Sequence, residues 1–208
     1  PGEFPQPDSF YVPNQLLEGD ASAPLSPTRA RDRHVSEAHW SRALEWAKAH
    51  DTEVLAVARD GKLEFAWFGP GRDGGSLLPV RSIAKPLTAL AIGAAIADGR
   101  IRNLQQPVGD FLTPWRTDAR GRITLEQLMT MSSGLNSFPP DPAPLGLTLQ
   151  LAEGSDIRAT ALAHSLVAAP GTRYAWGNVE SQLLAMTVEA ATGMSYRDYL
   201  QARFWKPL

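Results

Sequence analysis

The chain holds 208 residues with a formal net charge of −2, 43% hydrophobic residues and no cysteine. That length provides for one large domain or two small ones with an ample core, and the near-neutral balance gives no electrostatic basis for nucleic acid or an anionic membrane as partner. Disulfides and thiolate chemistry are excluded, though no compartment is assigned, and no apolar run reaches the roughly 18 residues needed to span a bilayer.

Residues 1–33 open at Pro1 rather than methionine, as expected of a processed start or of residues added ahead of the natural chain, and their proline-rich, aperiodic sequence predicts an extended arm. A helix is predicted over about 36–50, capped by Ser36, with Trp40, Ala43, Leu44 and Ala47 as its apolar stripe. Residues 54–58, the pair Asp60-Gly61 and the alternation of Leu63, Phe65 and Trp67 predict a β-hairpin with a type I′ turn.

From residue 82 the pattern turns to helices and loops. A small-residue helix is predicted from Ser82 to Asp98, closed by Gly99. A short one runs from Thr124 to Met131, with Thr124 and Gln127 spaced as a capping box. Residues 155–167 read as helical. Asn178 to Thr192 follows, with Val179, Leu183, Met186 and Ala190 on one face and Gly193 as terminator. A last helix starts near Ser195 and runs toward Phe204-Trp205. The order suggests a sheet layer with a helical subdomain beside it.

Chemistry concentrates at Arg81-Ser82-Ile83-Ala84-Lys85. Residues three apart on a helix lie one turn from each other, so Lys85 can reach the Ser82 hydroxyl. A serine hydroxyl is a poor nucleophile until a base takes its proton, and a lysine of lowered pKa can be that base. Pro86 belongs near a helix start, which puts Ser82 where the helix dipole favours a developing oxyanion. The spacing alone fits equally an ordinary helix with a capping serine and a solvated lysine.

The surroundings decide between these. The run Leu77-Leu78-Pro79-Val80-Arg81-Ser82-Ile83-Ala84-Lys85-Pro86-Leu87-Thr88 resembles the nucleophile region of class C β-lactamase-like, penicillin-recognising serine hydrolases. Asp98-Gly99-Arg100-Ile101, the stretch from Ile123 to Leu135 with its Ser132-Ser133-Gly134-Leu135 end, and Pro170-Gly171-Thr172-Arg173-Tyr174 resemble the same family in order and spacing. The likeness runs from about residue 53 onward and is greatest to the esterase and 6-aminohexanoate-dimer hydrolase group.

The resemblance implies an α and β, β-lactamase/transpeptidase-like fold: an antiparallel sheet flanked by helices plus an all-helical subdomain. Residues 1–33 are then the arm, 34–80 the first part of the sheet domain, and 81–208 the nucleophile helix and helical subdomain. It implies an amide- or ester-cleaving serine hydrolase with Ser82 as nucleophile and Lys85 as base. In the family's Tyr-x-Asn motif the asparagine slot falls on Asn178 and the tyrosine slot on Trp176, so both are expected to line the substrate pocket. Indole has one N–H donor and no acceptor, so Trp176 cannot take a proton. Tyr174, two residues upstream, is an alternative source of the phenol, but its position matches the family's buried aromatic, and that structural role is the expected one. Ser132 and Ser133 read as helix-end residues, with Gly134 in a left-handed conformation. Asn178 has a second reading as the N-cap of the helix it precedes.

His34, His39, His50 and His164 show no ligand spacing, and neither a metal nor a cofactor is implied. The family's third motif, Lys-Thr-Gly or His-x-Gly on a late strand, has no counterpart in residues 1–208, which leaves the sheet incomplete. A second polypeptide segment completing the sheet is therefore expected as a partner, alongside a small-molecule amide or ester substrate. Without it, the hairpin edge and the stripe of Trp40, Leu44 and Ala47 are expected to face solvent. The rival reading is a catalytically silent binding or sensor protein on the same scaffold. A helical domain with a chance Ser-x-x-Lys comes third.

Overall fold

The computed structural model describes residues 16–19, 25–136, 146–147, 150–151 and 154–207. Most of the predicted N-terminal arm lies outside the described residues. The chain divides into two compact units, one built on Leu25–Pro79 and the other on Val80–Pro207 with Leu16–Gly19.

In the first unit, helix α1 (Glu37–Ala49) starts where the Ser36 hydroxyl accepts the His39 backbone N–H at 3.3 Å. Strands β2 (Val54–Arg59) and β3 (Lys62–Phe68) pair antiparallel, Arg59 opposite Lys62. Asp60 and Gly61 between them have φ of 49° and 71°, the two positive angles that a type I′ turn demands. A third strand, β1 (Ser26–Pro27), lies parallel to β3, and Thr28 N–H donates to the Leu63 carbonyl at 2.8 Å. The sheet is thus mixed, ordered β1-β3-β2, where sequence alone indicated two antiparallel strands. Two residues of the arm occupy the edge of β3, and Pro27 is tolerated there because an edge position needs no N–H donor on its outer side.

The α1 stripe also differs from expectation. Trp40 and Ala47 are buried, because the Trp40 ring stacks on Phe65 with centroids 4.4 Å apart, while Leu44 is half-buried. Arg33 covers the Phe65 ring with its guanidinium 4.1 Å from the ring centroid. Stacked aromatics and a cation over a π face remove apolar area from water without further strands.

The second unit is helical. A 3₁₀ turn (Arg81–Ile83) leads into α2 (Ala84–Ala97), so the regular helix begins two residues later than predicted. Pro86 explains the offset. Its ring would strike the carbonyl of residue 82 in a continuous α-helix, and the tighter turn avoids that clash. The small buried side chains Ala91 and Ala95, on either side of Ile92, let α5 (Val179–Thr192) pack close, burying Val179, Leu183 and Val188. Gly193, at φ 72°, closes α5 as predicted. Helix α3 (Leu125–Met129) carries the Thr124–Gln127 capping box.

Helix α4 (Ile157–Leu162) is shorter than predicted, because the chain leaves it to bond elsewhere. Leu166 bridges to Leu135, and Val167 N–H donates to the Gly134 carbonyl at 2.9 Å. Gly134 has φ 75°, and a Cβ there would lie 2.3 Å from the Ala168 carbonyl oxygen, so only glycine fits. The residue that turns left-handed right after α3 is Met131, at φ 52°, rather than Gly134. Helix α6 (Tyr196–Leu200) is capped by Ser195 and continues into a π-helical turn at Gln201–Trp205. No helix among the described residues is long and apolar enough to cross a membrane.

Candidate active site

Ser82 lies in the 3₁₀ turn just before α2, and Lys85 lies in the first turn of that helix. The preceding Arg81 has φ 46°, a left-handed conformation that costs a non-glycine residue about 1–3 kcal/mol and tends to persist where a site requires it. Lys85 Nζ donates to Ser82 Oγ at 3.1 Å and to Asn178 Oδ1 at 2.8 Å. The same Nζ stands 5.0 Å from the centroid of the Trp176 ring, within cation–π range. All four residues singled out from sequence therefore meet at one lysine amine.

Asn178 reaches it from the N-cap position of α5. Its side chain makes no cap hydrogen bond and turns toward Lys85 instead, so the capping role open to it is unused. Trp176 is held by the stretch before it, where Gly171 N–H donates to the Ser132 carbonyl at 2.7 Å and Ala175 N–H to the Met131 carbonyl at 2.8 Å. Tyr174, expected as a buried aromatic, is 66% exposed in this chain. Neither Ser132 nor Ser133 joins the lysine. Ser132 Oγ is 3.0 Å from Thr130 Oγ1, while Ser133 Oγ accepts the Leu135 N–H at 3.1 Å.

Two cavities open on this centre. One of about 470 Å³ is apolar, walled by Ile83, Pro86, Ala89, Met129, Met131, Trp176 and Leu184, with Ser82 and Lys85 at its edge. The other, of about 320 Å³, is more polar and holds Arg81, Asn178, Gln182, Tyr196 and the paired Arg158 and Glu189. An apolar cavity flanking a serine–lysine pair accommodates a hydrophobic group of a substrate, and the polar side can orient its hydrogen-bonding groups.

Burial lowers the Lys85 pKa from its ordinary 10.5, and the negative charge of Glu180 pushes it back up. The position of Lys85 acts in the same sense as burial, since the N-terminal turn of a helix disfavours a cation. Glu180 is a residue that sequence reasoning passed over. It is 1% exposed, and Ser133 Oγ donates to its Oε1 at 2.8 Å. A signal was available: Glu180, Leu183, Leu184 and Thr187 share the helical spacing of one face, and all four are buried.

The family model described as Beta-lactamase matches residues 42–208. The fold is similar to a Bacillus anthracis protein described as a 6-aminohexanoate-dimer hydrolase, with a TM-score of 0.75 at 19% identity, covering 96% of this chain and 56% of that one. It is also similar to a D-stereospecific amidohydrolase from Streptomyces sp., with a TM-score of 0.63 at 29% identity, covering 82% of this chain and 54% of that one. Protein flp of Staphylococcus aureus (strain MW2) is 26% identical over 133 residues, 62% of this chain and 26% of that protein. The chain thus spans little more than half the length of the two solved structures and about a quarter of the curated relative.

Proposed function

This chain belongs to the Beta-lactamase family, and on that premise we propose that it forms the nucleophile-bearing part of a hydrolase that cleaves an amide or ester bond through a serine-bound acyl intermediate. A fold of this family supports amide and ester hydrolysis in general. The finer assignment makes Ser82 the nucleophile and Lys85 the general base. The observation that carries it is the 3.1 Å contact between Lys85 Nζ and Ser82 Oγ.

In the neutral state of the amine that contact reverses, and the Ser82 hydroxyl donates to Nζ. Lys85 then takes the proton as Oγ forms its bond to the substrate carbonyl carbon. The tetrahedral oxyanion collapses, the bond to the leaving amine or alkoxide breaks, and the proton on Nζ passes to that leaving group. Water, deprotonated by the same lysine, cleaves the acyl-serine ester and restores the hydroxyl. Asn178 orients Lys85 and the substrate, the Trp176 face holds the cationic amine, and the apolar cavity takes a hydrophobic part of the substrate.

One oxyanion donor in this reading is the Ser82 backbone N–H. The second donor and the Lys-Thr-Gly or His-x-Gly motif that the family resemblance implies have no counterpart in residues 1–208. Loss of one such donor lowers rate by roughly a hundred- to a thousandfold, so activity is measured on the full-length protein. The test is covalent labelling of that full-length protein with a fluorophosphonate, followed by peptide mapping. Label is expected on Ser82, with Ser82→Ala unlabelled. Label retained in that variant would overturn the assignment.

A second reading is favoured by one observation, the indole of Trp176 beside Lys85, in the slot where the family resemblance implies a proton-accepting tyrosine. In that reading the scaffold binds its ligand without efficient turnover.

A further inference from the structure

Helix α3 ends in a motif that ordinarily carries glycine. Met131 N–H donates to the Leu128 carbonyl at 3.1 Å and Ser132 N–H to the Gln127 carbonyl at 2.8 Å, the paired bonds of a Schellman end. The residue between the Thr130 cap and Ser132 is then left-handed, and here it is Met131, at φ 52°. Glycine takes that conformation without penalty, whereas a long side chain there is strained. Such strain persists where the surrounding structure holds it, and it clusters at ligand sites.

Met131 contributes to the site in two ways. Its carbonyl accepts the Ala175 N–H at 2.8 Å, which fixes the backbone one residue before Trp176. Its side chain is buried and forms part of the wall of the apolar cavity of about 470 Å³, together with Met129, Leu184 and Trp176. Ser82 borders this cavity but not the polar one. The acyl group becomes bonded to Ser82 Oγ, so the apolar cavity is the place for that group, and the polar cavity is left to the rest of the substrate. Among the described residues of the apolar wall the one ionisable side chain is Lys85, which must be neutral to act as base. A charged acyl group would therefore lose its hydration there without compensation.

We propose that Met131 is a specificity-determining residue that limits the size of the acyl group, and that the substrate is an ester or amide of a carboxylic acid whose chain is apolar and uncharged. The inference rests on the reading of Ser82 and Lys85 as the reacting pair. A thioether chain is unbranched and polarizable, which suits it to closing an irregular apolar wall. Ala89, on α2 one turn beyond Lys85, lines the same cavity, and its small side chain leaves the space open.

The experiment is single-turnover release of p-nitrophenol, with enzyme in excess, from p-nitrophenyl acetate, butyrate, hexanoate, octanoate and decanoate. It compares the full-length protein with Met131→Gly and Ala89→Leu, and it reads acylation even where deacylation is slow. Wild-type acylation is expected to rise with chain length to an optimum and then to fall. Met131→Gly takes the left-handed conformation without strain and opens the wall, so the octanoate-to-butyrate ratio is expected to rise about tenfold. Ala89→Leu keeps a good helix former on α2 and fills the cavity, so the same ratio is expected to fall about tenfold. A wild-type profile flat across the series would overturn the proposal, whichever variants fold. So would a Met131→Gly profile that is unchanged, or lowered by one common factor at every length, the mark of a residue that only holds the turn. Failure of the underlying reading looks different, since p-nitrophenol release would then persist in Ser82→Ala at every chain length.

Discussion

Lys85 Nζ and Asn178 Oδ1 meet at 2.8 Å although 93 residues separate them along the chain. The helix that Asn178 precedes does not use its side chain as a cap, which separates the residue's contribution to the site from its contribution to α5. Asn178→Ala is therefore expected to lower the acylation rate by about ten- to a hundredfold, the value of one hydrogen bond to a charged group. The melting temperature is expected to change by only a few degrees. A large loss of stability at unchanged rate would show that Asn178 serves the helix instead.

Trp176 separates turnover from binding. If Lys85 works without a phenol, Trp176→Tyr changes kcat by no more than a few-fold, and Lys85→Ala removes nearly all activity. Steady-state kinetics on a p-nitrophenyl ester with the full-length protein measures both. A rise of several orders of magnitude in Trp176→Tyr would instead mark the natural site as impaired and favour the binding reading.

The first unit carries a pH dependence of its own. Glu64 Oε1 accepts from His34 Nδ1 at 2.7 Å and from the His34 backbone N–H at 3.1 Å, while Oε2 accepts the Val35 N–H at 3.3 Å. The His34 side chain is the largest of several contacts that hold the Glu64 pKa below its ordinary 4.5, against the opposing effect of burial. A folded pKa below the unfolded one means the unfolded state binds more protons. The stabilisation is then complete above the unfolded value and drains away as pH falls through the folded value. Urea midpoints taken from pH 7 down to pH 3 are expected to fall more steeply in the wild type than in Glu64→Gln. Parallel curves would remove the carboxylate from the account.

Much of the local structure was legible before any coordinates. The caps Ser36 and Thr124, the helix start near Ser195, the Asp60-Gly61 turn, the Gly193 stop and the Ser82–Lys85 spacing all act within a few residues, where backbone geometry and hydrogen-bond chemistry leave few choices. The Tyr-x-Asn slots were legible as a likeness, and the structure brings both occupants to Lys85.

What tertiary structure alone decided involves partners far apart in sequence. Ser26–Pro27 became a parallel strand because β3 offered an unpaired edge. Residues 163–167 left their helix because Gly134 and Leu135 offered the backbone other bonds. Trp40 found cover on Phe65, while Tyr174, which matches a buried position in the family, is left open in this chain. Glu180 looked like one more polar residue near a helix start until packing took it out of water onto the Ser133 hydroxyl. Residues a few positions apart share a fixed geometry, so their meeting follows from the sequence. Residues such as Lys85 and Asn178 meet only after loop-closure entropy has been overcome by core packing, and the energy of that packing is spread over many side chains.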